Sequence, residues 1–305
     1  MKHILLLLLS TLFFYEGNAQ KRNHTFTVMA WNILHGANDI TDGKAKAIQI
    51  IREINPDVIL MVETYGSGKL IADSLGYNFH LIAPEGTALD DKRINLSIIS
   101  RYPFGNRMDT EHPFYLGGRE VIIHSQPVRF FTNWFHYLPW ENEPEKLGKT
   151  VEELLVWERS GSKFEMIQKV LPFIRKYAAD AEAVPMIFGG DLNTPSHLDW
   201  GEATRKQHND LVVPWYSTKV LEDMGLLDTY RKLHPDPVTH PGITWHTKGV
   251  KDNHRIDYIF YKGSRLKAIK SEVYKAFLNE PIHLNGKEII YPSDHGFVVT
   301  TFEMK

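Results

Sequence analysis

The sequence predicts an α/β protein in which two packed β-sheets carry helices on their outer faces. Three observations predict it. Runs rich in β-branched and aromatic residues alternate with stretches of helical period along the chain. Strands outnumber helices and many follow one another directly, which favours paired sheets over a single parallel sheet. One run, Val58 to Val62, is apolar throughout, the pattern of a strand covered on both faces.

Taken in order, the chain opens with Lys2 and His3 before an apolar run from Ile4 to Phe14, and Gly17, Asn18 and Ala19 precede Gln20. That is the pattern of an export signal occupying residues 1–19. The apolar run is too short to cross a bilayer comfortably, so the expectation is a periplasmic or extracellular protein with no membrane span after cleavage. The chain has no cysteine, which excludes disulfides, a lipoprotein anchor and thiolate metal sites. Residues 20–305 are expected to form one domain, since no Ser- or Gly-rich linker divides them.

Thr25 to Asn32 reads as a strand. Thr41-Asp42-Gly43 opens a helix whose Ile48, Ile51 and Ile54 share a face, and Asn55-Pro56 ends it. After the apolar strand, further strands are expected at Phe79 to Ile82, Leu96 to Ser100, Val121 to His124, Val128 to Phe135, Met186 to Phe188, Ile256 to Tyr261 and Phe297 to Phe302. Helices are expected at Phe164 to Ala179, where Ile167, Val170, Leu171 and Ile174 form a stripe, and at Trp215 to Met224. Leu138 to Lys163 reads as a charged excursion over the surface, carrying Trp140 and Trp157.

The 305 residues carry a formal charge of -2, so the chain lacks the basic excess of a protein that depends on long nucleic-acid tracts. The residues fit for chemistry lie at strand ends, which gather at one edge of a sheet. Asn32 closes the first strand, Glu63 follows the apolar one, and Asp191 and Asn193 follow Met186 to Phe188 after two glycines. Asp257 begins a strand, and Asp294 and His295 precede the last. Oxygen donors of this kind suit a hard divalent cation, and such a cation beside a positioned base suits hydrolysis of an unreactive phosphate diester. In Gly189-Gly190-Asp191-Leu192-Asn193-Thr194-Pro195 the glycines would let the backbone approach a ligand. Asp191 and Asn193, two apart in an extended segment, would point the same way.

At these residues the chain resembles the endonuclease/exonuclease/phosphatase, or DNase I-like, superfamily. The motifs run in that family's order: W-N-I at Asn32, V-E-T at Glu63, G-D-L-N-T-P, R-I-D-Y-I-F and S-D-H. The resemblance implies a four-layer α/β sandwich with two central sheets. It implies that Asn32, Glu63 and Asp294 surround a divalent metal, Mg²⁺ first, with Mn²⁺ or Ca²⁺ as alternatives. Asp191 would orient or deprotonate the attacking water, with Asn193 holding that water or a phosphate oxygen. His295 would serve as acid/base or oxyanion stabiliser, Asp257 would fix its tautomer, and His136 would donate to the phosphate.

The expected activity is phosphodiester hydrolysis on a nucleic acid, a phospholipid headgroup or a small phosphoester. A non-catalytic envelope binding protein is the alternative, and it predicts loss of an acid or histidine that this chain retains. Arg119 is read as an ion-pair partner, and His35, Trp245 and His254 as packing near the motifs. Trp134, Trp140 and Trp157 are read as packing under the excursion. Whether that excursion leaves a pocket or an open groove decides between small substrates and polymers.

Overall fold

The computed structural model describes residues 24–140, 144–246 and 253–305; the expected export signal, residues 1–19, lies outside them. Strands follow in chain order as β1 His24–Asn32, β2 Val58–Val62, β3 Asn78–Leu81, β4 Leu96–Ser100, β5 Phe104–Met108, β6 Leu116–Ile123, β7 Gln126–Trp134 and β8 Met186–Asp191. They continue as β9 Leu227–Asp228, β10 Trp245–His246, β11 Asn253–His254, β12 Asp257–Lys262, β13 Leu266–Tyr274, β14 Pro281–Leu284, β15 Lys287–Ile290 and β16 Phe297–Met304. Two six-stranded sheets result, ordered β13-β16-β1-β2-β4-β3 and β5-β6-β7-β8-β12-β9.

The side-chain alternation along β1 explains the layering. Val28 and Ala30 point between the sheets, where they join Leu60, Ile98, Val128, Phe130 and Ile187. Met29 and Trp31 point outward onto the helices Gly43–Ile54 and Gly68–Leu75 through Ile48, Ile51 and Ile71. The second sheet is covered by the helices Ser162–Ala179 and Tyr216–Asp223, whose Met166, Ile167, Val170 and Leu221 meet Phe131, Phe188 and Phe260. The order helix, sheet, sheet, helix is the four-layer sandwich that the motifs imply. All five residues of β2 are buried because both of its faces are covered.

Two expectations change. β8 does not stop at Phe188 but runs through both glycines to Asp191. A Cβ at Gly190 would lie 2.1 Å from the Asn133 carbonyl oxygen on β7, and its φ is +141°. The glycine is therefore demanded by strand packing and not by a ligand.

The excursion after Leu138 is also more than decoration. It holds a helix, Val151–Glu158, opened by a Thr150–Glu153 capping box. Its Trp140, Leu154 and Trp157 pack on Trp200, Val213 and Trp215 as a small core of their own. Glu158, fully buried, accepts from the Tyr216 and Ser217 amides and from the Ser217 hydroxyl.

Candidate active site

Strand register brings the expected residues to one end of the sandwich. β1 and β2 run parallel with Asn32 beside Val62, so Glu63 emerges next to Asn32. In the other sheet Asp191 pairs with Asp257 on antiparallel β12 and with Trp134 on parallel β7. Ser293 ties the last strand's approach to the end of β1: its hydroxyl donates to the Asn32 carbonyl (2.7 Å) and accepts from the His295 amide (3.0 Å).

The side chains converge. His295 Nδ1 lies 3.0 Å from Asp257 Oδ2, and its Nε2 lies 3.9 Å from Asp191 Oδ2. Asn32 Nδ2 donates to Glu63 Oε1 (3.0 Å) and Asp191 Oδ2 (3.2 Å). Asn193 Nδ2 donates to the same Asp191 oxygen (3.0 Å) and to the Phe135 carbonyl (2.9 Å), while its amide donates to Asp191 Oδ1 (2.8 Å). Asp191 and Asn193 do meet, but not by extended alternation: Asn193 turns into the left-handed region at φ +47°. Glu63 is left-handed too, at φ +55°. It is held there by Asn95, whose side chain accepts from the Glu63 amide at 3.1 Å and whose carbonyl accepts from Thr64. Strain of this kind persists only where the surroundings over-determine it.

A cavity of about 420 Å³ opens at this end, lined by Glu63, Asp191, Asn193 and His295. Tyr65, Trp134, Tyr137, Trp140 and Trp245 line it as well. His35, His254 and Trp245 line this space, so they are more than packing, and Trp134 and Trp140 are cavity walls as well. Trp157 does pack beneath, against Trp140 at 5.0 Å. Arg119 is neither in the site nor ion-paired among the described residues; it lies over the Phe104 ring, 5.6 Å from its centroid.

A family model for the endonuclease/exonuclease/phosphatase family matches residues 29–295. The chain belongs to the endonuclease/exonuclease/phosphatase family. An uncharacterised protein of Caenorhabditis elegans is 27% identical over 275 residues, covering 85% of this chain and 86% of its own. Among solved structures, truncated C. elegans TDP2 superposes with a TM-score of 0.58 at 16% identity, covering 92% of this chain and 97% of that one. An AP endonuclease from Archaeoglobus fulgidus gives 0.56 at 17% identity, covering 90% and 98%. At these identities the structures are alike in fold.

Within this family fold, charge sets the site's protonation. Burial opposes a charge on His295, but the Asp257 and Asp191 carboxylates outweigh it and hold the imidazole pKa well above its usual value. Burial pushes the Asp191 carboxyl up, against the pull of His295.

Asp191, Asp257 and His295 bring ligand-type atoms within 4.8 Å of one another. The ring nitrogens of His295 already face the two carboxylates, so the trio reads better as an acid–base cluster than as a metal cage. A divalent cation fits Glu63 and Asp294 better. Each Glu63 oxygen accepts a single hydrogen bond, from Asn32 Nδ2 and from the His35 amide, and Asp294 Oδ1 is buried with no partner. Both are hard oxygen donors with lone pairs to spare. Asn32 departs from the ligand role expected of it. Its oxygen accepts from the Leu34 amide (3.0 Å), and its nitrogen faces the acids, so it acts as a clamp.

His136 stands apart from the other candidates and does not line the cavity. Its Nδ1 accepts from the Leu138 amide (3.3 Å) and faces the Ser162 hydroxyl at 2.6 Å. In the neutral ring the proton is therefore on Nε2, free to donate. Burial, helped by the Lys163 charge, lowers its pKa.

The sequence reading missed Lys163. It is fully buried, and its ammonium donates to the Asn193 carbonyl and, at 2.6 Å, to Thr194 Oγ1. It also sits 4.5 Å from the Trp140 ring centre. The signal was present: Lys163 precedes Met166, Ile167, Val170 and Leu171 at i+3, i+4, i+7 and i+8 spacing, a cation on the apolar stripe of a helix. Tyr258 holds the same loop from the other side, its hydroxyl donating to the Thr194 carbonyl at 2.8 Å.

Proposed function

We propose that the protein is an exported, divalent-metal-dependent phosphoesterase that hydrolyses a phosphodiester by attack of water. One observation carries the reading. A histidine flanked by two buried acids, Asp257 and Asp191, opens into the same cavity as Glu63 and Asn193.

The residues divide the work as follows. Glu63 and Asp294 would hold the cation, which supplies charge neutralisation at the phosphate when bound. Asp191 orients and deprotonates the water; its raised pKa makes it a better base than an ordinary carboxylate. Both hydrogens of Asn193 Nδ2 are spent on Asp191 and Phe135, which leaves its oxygen to accept from the water and no donor for a phosphate oxygen. His295, kept cationic by Asp257, stabilises the phosphoryl oxygen and can protonate the leaving group. Asn32 keeps Glu63 and Asp191 at a fixed separation.

The test is hydrolysis of bis(p-nitrophenyl) phosphate by the purified mature protein with Mg²⁺, Mn²⁺ or Ca²⁺ and with chelator. Turnover that needs the metal and is abolished by Asp191→Ala supports the reading; absence of turnover with every metal and with DNA, RNA, phospholipid and sugar phosphates overturns it. Export is tested separately, by recovering the protein outside the cytoplasm with Gln20 as its first residue. Recovery only inside the cell with Met1 retained defeats that part.

A further inference from the structure

The cavity lining is of two chemical kinds: Glu63, Asp191 and His295 on the one hand, five aromatic side chains with Ile256 on the other. We propose that the aromatic lining is a subsite for a planar heteroaromatic ring linked to the phosphate, so that the substrate is a small, nucleotide-sized phosphoester and not a polymer strand. This deepens the phosphoesterase reading and rests on it.

Size comes first. A volume of about 420 Å³ falls in the range that encloses one small ligand, roughly 300–1,000 Å³. The excursion supplies part of its wall: Trp140 lines the cavity and is wedged by Trp157 and Trp215 at 5.0 and 4.8 Å. Trp140, on the excursion, thus adds an aromatic wall to a space sized for one small ligand.

Ring geometry then selects the guest. Tyr137 stacks on His136 at 4.5 Å and 21° and remains 47% exposed, so one face is covered and the other is open for a flat ring to continue the stack. Trp134 is pinned by Tyr115, stacked at 9°, and by the edge of Phe114. These rings are set before a ligand arrives, so little ordering entropy opposes binding.

A quaternary ammonium would need several free ring faces converging on one point. Here Trp134 and Tyr137 each give a face to a neighbour, and the Lys163 ammonium already lies over Trp140. A second cation there meets like charge, whereas a neutral ring stacks without that penalty.

The experiment compares adenosine 5′-monophosphate, ribose 5-phosphate and phosphocholine, each bound to the purified protein with Mg²⁺ and followed by tryptophan fluorescence and calorimetry. Adenosine monophosphate is expected to bind at least tenfold tighter than ribose phosphate and to quench the tryptophans, since a stacked base is worth about tenfold or more. Tyr137→Ala and Trp245→Ala should each bring its affinity down towards that of ribose phosphate. Equal affinities, tighter binding of phosphocholine, or a ring advantage that survives both substitutions overturns the proposal. The same preparations are assayed on bis(p-nitrophenyl) phosphate. Hydrolysis without ring preference removes the subsite and leaves the phosphoesterase. Ring preference without hydrolysis of any phosphoester removes the catalytic reading, and with it the assignment of the ring to a substrate.

Discussion

Replacing Lys163 with methionine should separate stability from activity. Burial drives the Lys163 pKa down from 10.5 to about 7, against the pull of Glu158 and Asp191. At about 1.4 kcal/mol per pH unit, holding the charge at neutral pH opposes folding by about 5 kcal/mol. The substitution also removes hydrogen bonds to Asn193 and Thr194, at a cost of about 1–3 kcal/mol for each acceptor left unpaired. At pH 7 the two effects largely offset, and Lys163→Met should lie between about 1 kcal/mol less stable and about 3 kcal/mol more stable than the wild type.

The pH dependence follows from the sign. Between about pH 7 and 10.5 the unfolded lysine holds a proton that the folded one has lost, so wild-type stability rises with pH across that window. The variant should lack this rise and become the less stable protein at the alkaline end. Its turnover should nevertheless fall about tenfold or more at every pH, because the loop that places Asp191 and Asn193 loses its clamp. Urea melts at several pH values, paired with initial rates, test this. Loss of about 2 kcal/mol or more at pH 7 with wild-type turnover retained would contradict this role for Lys163.

Three further substitutions probe other parts of the account. Asp257→Asn keeps the volume but no longer holds the imidazolium, and kcat should drop by about 10²–10⁴-fold with little change in KM; steady-state kinetics decide. Asn95→Ala frees the left-handed Glu63 and should weaken metal affinity about tenfold by calorimetry, the scale seen when a ligand's support is lost. Gly190→Ala places a Cβ 2.1 Å from the Asn133 carbonyl at φ +141°, and a denaturant melt should show a loss of about 3 kcal/mol or more, or no folded protein.

The central strands were legible because both-face burial writes an uninterrupted apolar run, as in Val58 to Val62. The edge was not. β13 alternates Leu266, Ala268 and Ser271 with Lys267, Lys270 and Glu272 on its open face, so its hydrophobic signal is weak. The helix Val151–Glu158 carries Leu154, Leu155, Val156 and Trp157 in succession, which blurs its period.

At the site, the residue types and their order along the chain were readable; their directions were not. Asn32 was read as an oxygen ligand, yet its orientation depends on the Leu34 amide, set by a turn in which Leu34 and His35 are left-handed. Gly190 looked like a ligand approach and proved to be a contact between strands. Lys163 was passed over as part of a charged surface stretch, although its place on the apolar stripe was visible. What the sequence could not carry is which backbone groups each side chain meets once the loops have folded.

The central claim is that Asp191 activates water at a metal-bound phosphoester. It is tested most directly by single-turnover hydrolysis of a phosphodiester in ¹⁸O-labelled water, with wild type and Asp191→Asn, each saturated with Mg²⁺. One ¹⁸O is expected in the phosphate product of the wild type, and at least about a thousandfold slower turnover in the variant with substrate affinity nearly unchanged. Undiminished turnover in Asp191→Asn, or a product without label, would contradict it.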